Sequence, residues 1–209
     1  MKKFLIVLLI TISICANIEA ALIDKNSSIA VMDMGTNIGT SDLSVYLFNV
    51  EKSSSEYIIQ RLIEQYKLNV VDKDLFIDKL KMENLDTTGL IDPDTAKRIG
   101  EILNVKYLIY GKVVNVSVAE DENGLEGLSV KSRTVKANIV ARIMEVNTGR
   151  IIMAAKGEGK SKSAHLSFTD ESFGEFLTIG NVKVSQDSVH NALQKAAFQV
   201  VDILIERLK

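Results

Sequence analysis

Few side chains in this sequence have the type and spacing that chemistry requires. His165 and His190 lie on different predicted elements with no cysteine near either, so they do not match a metal site, and His190 is expected at the surface. No GxSxG motif surrounds any serine, which argues against that class of hydrolase. The acidic triplet 120–122 lacks the spacing of a calcium loop. The sequence therefore predicts no catalytic, cofactor or metal residues and no enzyme.

Two glycines are the next candidates for binding. Gly35 and Gly39 follow a short apolar run at 29–34, and glycines after a strand are typical of phosphate loops. Their spacing matches neither GxGxxG nor GxxxxGK[ST], and no lysine is placed to meet a phosphate. We therefore expect a plain turn.

The lysines offer one local patch on a chain that is acidic overall. The formal net charge is −2, so the chain as a whole does not attract phosphate polymers and nucleic acid is not an expected partner. Lys156, Lys160 and Lys162 lie close together in a run of small polar residues. They form either a binding patch or the solvated face of an edge strand, and the pattern favours the edge strand.

The first 20 residues predict a signal peptide. Lys2 and Lys3 precede an apolar run at 4–16, which is too short to span a bilayer and fits the hydrophobic region of a leader. Cleavage is expected after Ala20, with an uncleaved core helix or membrane anchor as the alternative. Cys15, the chain's one cysteine, raises the further option of a lipoprotein signal, but an isoleucine precedes it where a small residue is needed. The mature chain then has no thiol, and the predicted single domain is 21–209.

Hydrophobic periodicity predicts an alternation of strands and helices in that domain. Polar-apolar spacing predicts helices at 53–66, with a capping box formed by Ser53 and Glu56, at 74–81, and from Pro93 to 103. The final helix should begin after Ser185 as its cap and carry a continuous apolar stripe, more typical of core packing than of a partner surface. That stripe consists of Val189, Leu193, Ala196, Ala197, Val200, Leu204 and Leu208.

The predicted strands fall at 29–34, 68–71, 107–118 and 135–143, with another from Arg150. Apolar residues at 107–110 indicate a strand buried on both faces, after which Val114, Val116 and Val118 should share one face. The segment 119–133 is expected to be a polar hairpin tip, and 147–149 a tight turn.

Several stretches together resemble the CsgG family, named for the curli secretion channel of bacterial outer membranes. The opening strand at 29–34, the segment 104–111 (NVKYLIYG) and above all 142–151 (RIMEVNTGRI) are similar to that family's strands, and 186–208 to its closing helix. The resemblance covers about 29–208. It implies an α/β fold: a mixed sheet with helices packed on it, an anticodon-binding-domain-like core, two extended β-hairpin segments and a long C-terminal helix.

The resemblance also implies a location and a mode of action. The expected location is the periplasm bounded by the outer membrane, or the outer membrane itself. In curli channels two segments of each subunit become membrane hairpins of a shared channel, and their equivalents here are 112–147 and 156–184. Ala164, Leu166 and Phe168, with Phe173 and Phe176, are the residues of the second segment suited to lipid. The first segment has no aromatic residue and an acidic tip, which departs from the channel pattern.

Two functions of different classes follow. The first is a secretion or assembly component resembling the curli transport protein, forming a homo-oligomeric ring around an exported polypeptide. The second is a soluble periplasmic adaptor that binds and regulates another envelope protein. Neither requires a cofactor.

Overall fold

The computed structural model describes residues 23, 26–36, 49–85, 90–125, 128–168 and 185–208. The predicted leader 1–20, including Cys15, lies outside the described residues. The elements in chain order are β1 (Ser28–Val31), β2 (Gly35–Thr36), α1 (Val50–Glu64), β3 (Asn69–Val71), a 3₁₀ turn (Lys73–Phe76), α2 (Ile77–Met82), α3 (Pro93–Leu103), β4 (Tyr107–Leu125), β5 (Leu128–Glu145), β6 (Arg150–Phe168) and α4 (Gln186–Glu206).

The described strands form one mixed sheet, which confirms the predicted fold class. Its order is β3-β1-β4-β5-β6, with β2 also paired to β4. The pairs of β1 with β3 and with β4 are parallel, whereas β4, β5 and β6 form an antiparallel meander. Helices cover both faces of the parallel part, so Leu108, Ile109 and Tyr110 of β4 are buried on both sides, as the apolar run at 107–110 predicted.

The closing helix α4 covers one face of β5 and β6. Ser185 caps it by accepting a hydrogen bond from the Ser188 amide at 3.1 Å, which confirms the predicted cap. All seven residues of the predicted stripe are buried, in one core with β4 and β5. The stripe is therefore core packing, because the helix buries it against the sheet rather than presenting it to a partner.

Two glycines of β6 allow α4 to lie close to the strand. A Cβ on Gly157 would collide with the Ala196 carbonyl oxygen, and a Cβ on Gly159 with the Ala192 carbonyl oxygen. Polar bonds fix the same contact: the Glu158 amide donates to Gln199 Oε1 at 2.6 Å. Gly157 and Gly159 thus allow the helix to pack closely against β6.

Helix α1 joins α4 through a charged cluster. The Arg61 guanidinium donates two hydrogen bonds of 2.9 Å to the Asp202 carboxylate, and the Tyr66 hydroxyl donates a third at 2.9 Å. Burial acts to raise the pKa of Asp202, but the hydrogen bonds from Arg61 and Tyr66 and the charge of Arg61 outweigh it, so that pKa lies below its usual range. Burial first, then the bond to Asp202, raises the pKa of Tyr66 to about 12.

Several boundaries differ from the sequence prediction. Helix α1 starts at Val50, after Asn49 in the left-handed conformation, so the capping box of Ser53 and Glu56 was wrong. Gly35 belongs to a two-residue strand on β4 instead of a plain turn. Two apolar residues of predicted helices are solvent-exposed: Leu75 is 79% exposed and Ile63 46% exposed.

A β-bulge in β4 changes which valines face the core. The register shifts between Val113 and Asn115, so Val113 and Val116 are buried while Val114 is 42% exposed. The prediction that Val114 shares a face with Val116 was therefore wrong. The predicted turn at 147–149 is confirmed, and the φ of 68° at Gly149 suits glycine.

Candidate functional site

The antiparallel meander extends beyond the core that anchors it. Val116 of β4 and Val135 of β5 are the last core residues toward the β4–β5 hairpin end. Gly159 of β6 lies against Ala192 near the start of α4. We call the covered part the inner ribbon (107–118, 135–145 and 150–161) and the part beyond it the outer ribbon (119–125, 128–134 and 162–168). The outer ribbon is a set of strands that no described helix covers.

The ladder of the outer ribbon corrects one sequence prediction. The segment 119–133, expected to be a polar tip, stays paired from Ala119 opposite Thr134 to Leu125 opposite Leu128. The hairpin at 112–147 is confirmed. Of the second segment, 156–168 continues β6 and pairs with β5 up to Phe168 opposite Leu128. Its remainder, 169–184, with Phe173 and Phe176, lies outside the described residues.

Opposite charges explain how the acidic segment can be a strand. Glu120 faces Arg133 in the register, and the two side chains form a salt bridge of 2.7 Å. Glu122 is likewise opposite Lys131. Because cross-strand pairs of opposite charge stabilise a sheet, the pair of Glu120 and Arg133 supports the hairpin that the acidic segment was expected to interrupt.

The face of the meander opposite Glu120 and Arg133 is basic. Lys136 lies opposite Lys160, while Lys112 and Lys156 both flank Val140, so residues from three strands share one face. We call it the basic face. It consists of Lys112, Lys136, Arg142, Lys156, Lys160 and Lys162, of which only Lys136 is half-buried and the others exposed.

This outcome extends the sequence prediction about the lysines. Lys156, Lys160 and Lys162 do lie on the exposed face of β6, the last strand in the sheet order. The three cations contributed by β4 and β5 were missed. The alternation of β5 could have identified two of them, because Lys136 and Arg142 occupy the phase opposite to Ile139 and Ile143, which are buried.

Few carboxylates offset the basic face. Glu158 lies among the lysines and binds Lys160 at 2.9 Å. The hydrogen bond from Lys160, followed by the charges of Lys160, Lys156 and Lys136, lowers the pKa of Glu158 below its usual range. Asp121, exposed and opposite Ser132, lies beyond the lysines toward the hairpin end. Among the described residues the other five cations of this face form no ion pair closer than 4.0 Å.

A small cavity opens at the inner end of the basic face. It has a volume of about 230 Å³ and is lined by Leu90, Ile91, Gly111, Lys112, Val140 and Arg142. The Tyr110 side chain is buried and is the register partner of Arg142. Burial raises the pKa of Tyr110, and the nearby Arg142 guanidinium opposes that effect. The two cations that line the cavity make this end suited to an anion.

The histidines take no part in this arrangement. His165 lies on β6 opposite Lys131, and His190 lies on α4, so they are on different elements as predicted. His190 is half-buried, with Nδ1 3.0 Å from the Tyr57 hydroxyl, which corrects its expected surface position. In the described ranges no three His, Cys, Asp or Glu residues come together as a metal site would need. The same ranges hold no helix long and apolar enough to cross a bilayer.

Comparison with known proteins gives one family. Residues 17–209 match the family model described as Curli production assembly/transport component CsgG. No curated protein matches the sequence.

Solved structures resemble the chain only loosely. The C-terminal domain of LpoB from Salmonella enterica is 18% identical, covering 64% of this chain and 82% of that one, with a TM-score of 0.44. Lipoprotein GNA1162 from Neisseria meningitidis is 11% identical (66% and 84% covered, TM-score 0.46). The PelC dodecamer from Paraburkholderia phytofirmans is 13% identical (90% and 93% covered, TM-score 0.43). At these TM-scores the likenesses support no inference about assembly or ligands.

Proposed function

We propose a function from one premise: the chain belongs to the CsgG family, a family of bacterial envelope proteins. The proposal is that the protein is exported to the periplasm and acts at the outer membrane as an assembly or transport component of the curli type. It acts by binding and by forming a homo-oligomeric ring, without catalysing a reaction. The exported polypeptide would pass through the ring.

The outer ribbon is the observation that carries this proposal. Its strands continue for seven residues each past the core, with charged pairs on one face. In the outer ribbon β4 and β6 are the edge strands, so the outward-facing backbone N–H and C=O groups of each have no neighbouring strand among the described residues. Natural proteins protect such edges or use them for pairing with another chain. Neighbouring copies in a ring would supply that pairing.

The length of the outer ribbon favours a second candidate. Seven residues per strand in β4 and β5 are fewer than the roughly nine to eleven that a membrane-crossing strand needs. A ribbon of this length suits a protein that contacts another envelope protein from the periplasm. The soluble adaptor therefore remains the alternative function.

Membrane retention separates the two candidates. If the transport proposal is right, the native protein resists carbonate extraction and migrates as a detergent-resistant oligomer. Leu166→Lys then reduces both, because a lysine facing lipid at the midplane costs about 2–4 kcal/mol. The matched control is Ser163→Lys, three residues away and so on the opposite side of the same strand.

The adaptor predicts a different result. A monomer released by osmotic shock, with Leu166→Lys behaving like Ser163→Lys, would contradict the transport proposal. Native mass spectrometry of the extracted protein would then show one chain, with or without a bound envelope protein.

A further inference from the structure

The proposed ring leaves the basic face unexplained, since pairing of strand edges does not require it. This face gathers six cations from three strands, against Glu158 and Asp121. The chain as a whole carries a formal net charge of −2, so the concentration of positive charge is local. A local excess of this kind attracts an anionic surface while the rest of the molecule does not.

We propose that the basic face binds the phosphate groups of an anionic phospholipid surface. The proposal rests on the proposed function only for the envelope location, which brings such lipids within reach. Lysine and arginine next to an anionic leaflet each strengthen binding by about fivefold, and the effect falls off within a Debye length. The sheet holds the cations in fixed rows, so little ordering is needed when they meet the headgroups.

The six cations lie on one face of three paired strands, so they can meet an extended anionic surface together. This arrangement favours a membrane over a dissolved polymer.

The small cavity supplies a defined position for one phosphate at the inner end. Lys112 and Arg142 line it. A guanidinium binds phosphate oxygens through paired N–H donors. The opposite face of the outer ribbon lacks such an excess, because Glu120 is paired with Arg133 there.

The test is co-sedimentation of the full chain, purified from its envelope, with vesicles. One set is phosphatidylcholine alone and the other contains phosphatidylglycerol. The variant replaces Lys156, Lys160 and Lys162 with glutamine. The matched control replaces Lys67, Lys79 and Lys81, three exposed lysines away from the meander, in the same way. Both variants lose three positive charges, and all six side chains are exposed, so folding is checked by an unchanged melting temperature.

We expect the wild type to bind phosphatidylglycerol vesicles selectively and less tightly as salt rises. The basic-face variant should bind roughly tenfold to a hundredfold more weakly, and the control variant no more than a few-fold more weakly. Equal losses in the two variants, or no selectivity for phosphatidylglycerol, would overturn the proposal. So would a wild type that binds soluble polyphosphate in preference to the vesicles. Because the assay needs neither a ring nor a pore, failure of the transport function leaves its outcome unaffected.

Discussion

The inner and outer ribbon are parts of the same three strands but are stabilised differently. In the inner ribbon, α4 lies against Gly157 and Gly159, and apolar side chains such as Ile139 are fully buried. In the outer ribbon the ladder continues without a covering helix in the described part of the chain, and the contacts there include the salt bridge of Glu120 with Arg133. One strand set can thus combine a rigid base with an extension that remains available to a membrane or another subunit.

Substitution in the α4 stripe is expected to have the largest effect. Leu204 is fully buried, so Leu204→Asp places a charge in the core at a cost of several kcal/mol, a large share of a domain's stability. We expect little folded protein, measured by yield and circular dichroism. Asn191→Asp, which puts the same charge on an exposed position of α4, should fold normally. A Leu204→Asp protein that melts like the wild type would mean that the stripe is a partner surface.

The second-largest loss of stability is expected from substitution of the β6 glycines that contact α4. Gly159→Val inserts a side chain against the Ala192 carbonyl oxygen and should cost about 1–3 kcal/mol, lowering the melting temperature by several degrees. Ala164→Val, on the exposed side of the outer ribbon, should change it little. If both substitutions lower the melting temperature equally, the inner ribbon is not more tightly packed than the outer ribbon.

The cluster between α1 and α4 gives a smaller, pH-dependent effect. The pKa of Asp202 is lowered in the folded protein, so its carboxylate contributes stability above about pH 4, and this contribution is lost as the pH falls through the folded pKa. Asp202→Asn should therefore reduce stability by about 1 kcal/mol at pH 7, since the cluster is partly exposed. The difference from wild type should shrink below about pH 4. A constant difference across that range would show that the Asp202 carboxylate is not stabilised by Arg61 and Tyr66.

The smallest effect is expected in the outer ribbon. Glu120→Gln removes the salt bridge to Arg133, in which the Glu120 side chain is 64% exposed. Exposed pairs contribute about 0–1 kcal/mol, so the melting temperature should fall by no more than a few degrees. A loss as large as that of Gly159→Val would show that the outer ribbon also supports the core.

The sequence predicted the elements whose residues repeat with a clear period. All seven residues of the predicted α4 stripe are buried because a helix of period 3.6 must bury one face against a sheet, and Ala192, Val201 and Ile205 join them in the same core. The burial of 107–110 was also correct, since a continuous apolar run fits a central strand. The basic face was found only in part, because the register that joins Lys112 and Lys136 to the β6 lysines depends on pairing between distant strands.

The errors have local physical causes. Val114 was expected to share a face with Val116 because alternation alone does not reveal the extra residue that the bulge at Val113/Asn115 adds. The start of α1 was missed because Asn49 in the left-handed conformation opens it without a side-chain cap. The segment at 119–133 was read as a tip because its acidic residues were considered without the basic residues opposite them, of which Arg133 is the clearest case.

The central claim is that the inner ribbon provides stability and the outer ribbon provides function. Val118 and Val135 are register partners, so replacing 119–134 with Asn-Gly closes the hairpin with a two-residue loop at the boundary. The direct measurement is the envelope fraction and native mass of this shortened protein, with its melting temperature as the check on folding. The account predicts a folded protein that melts within a few degrees of wild type but has lost membrane retention and oligomerisation. A shortened protein that stays in the membrane as the same oligomer, or that fails to fold, would contradict it.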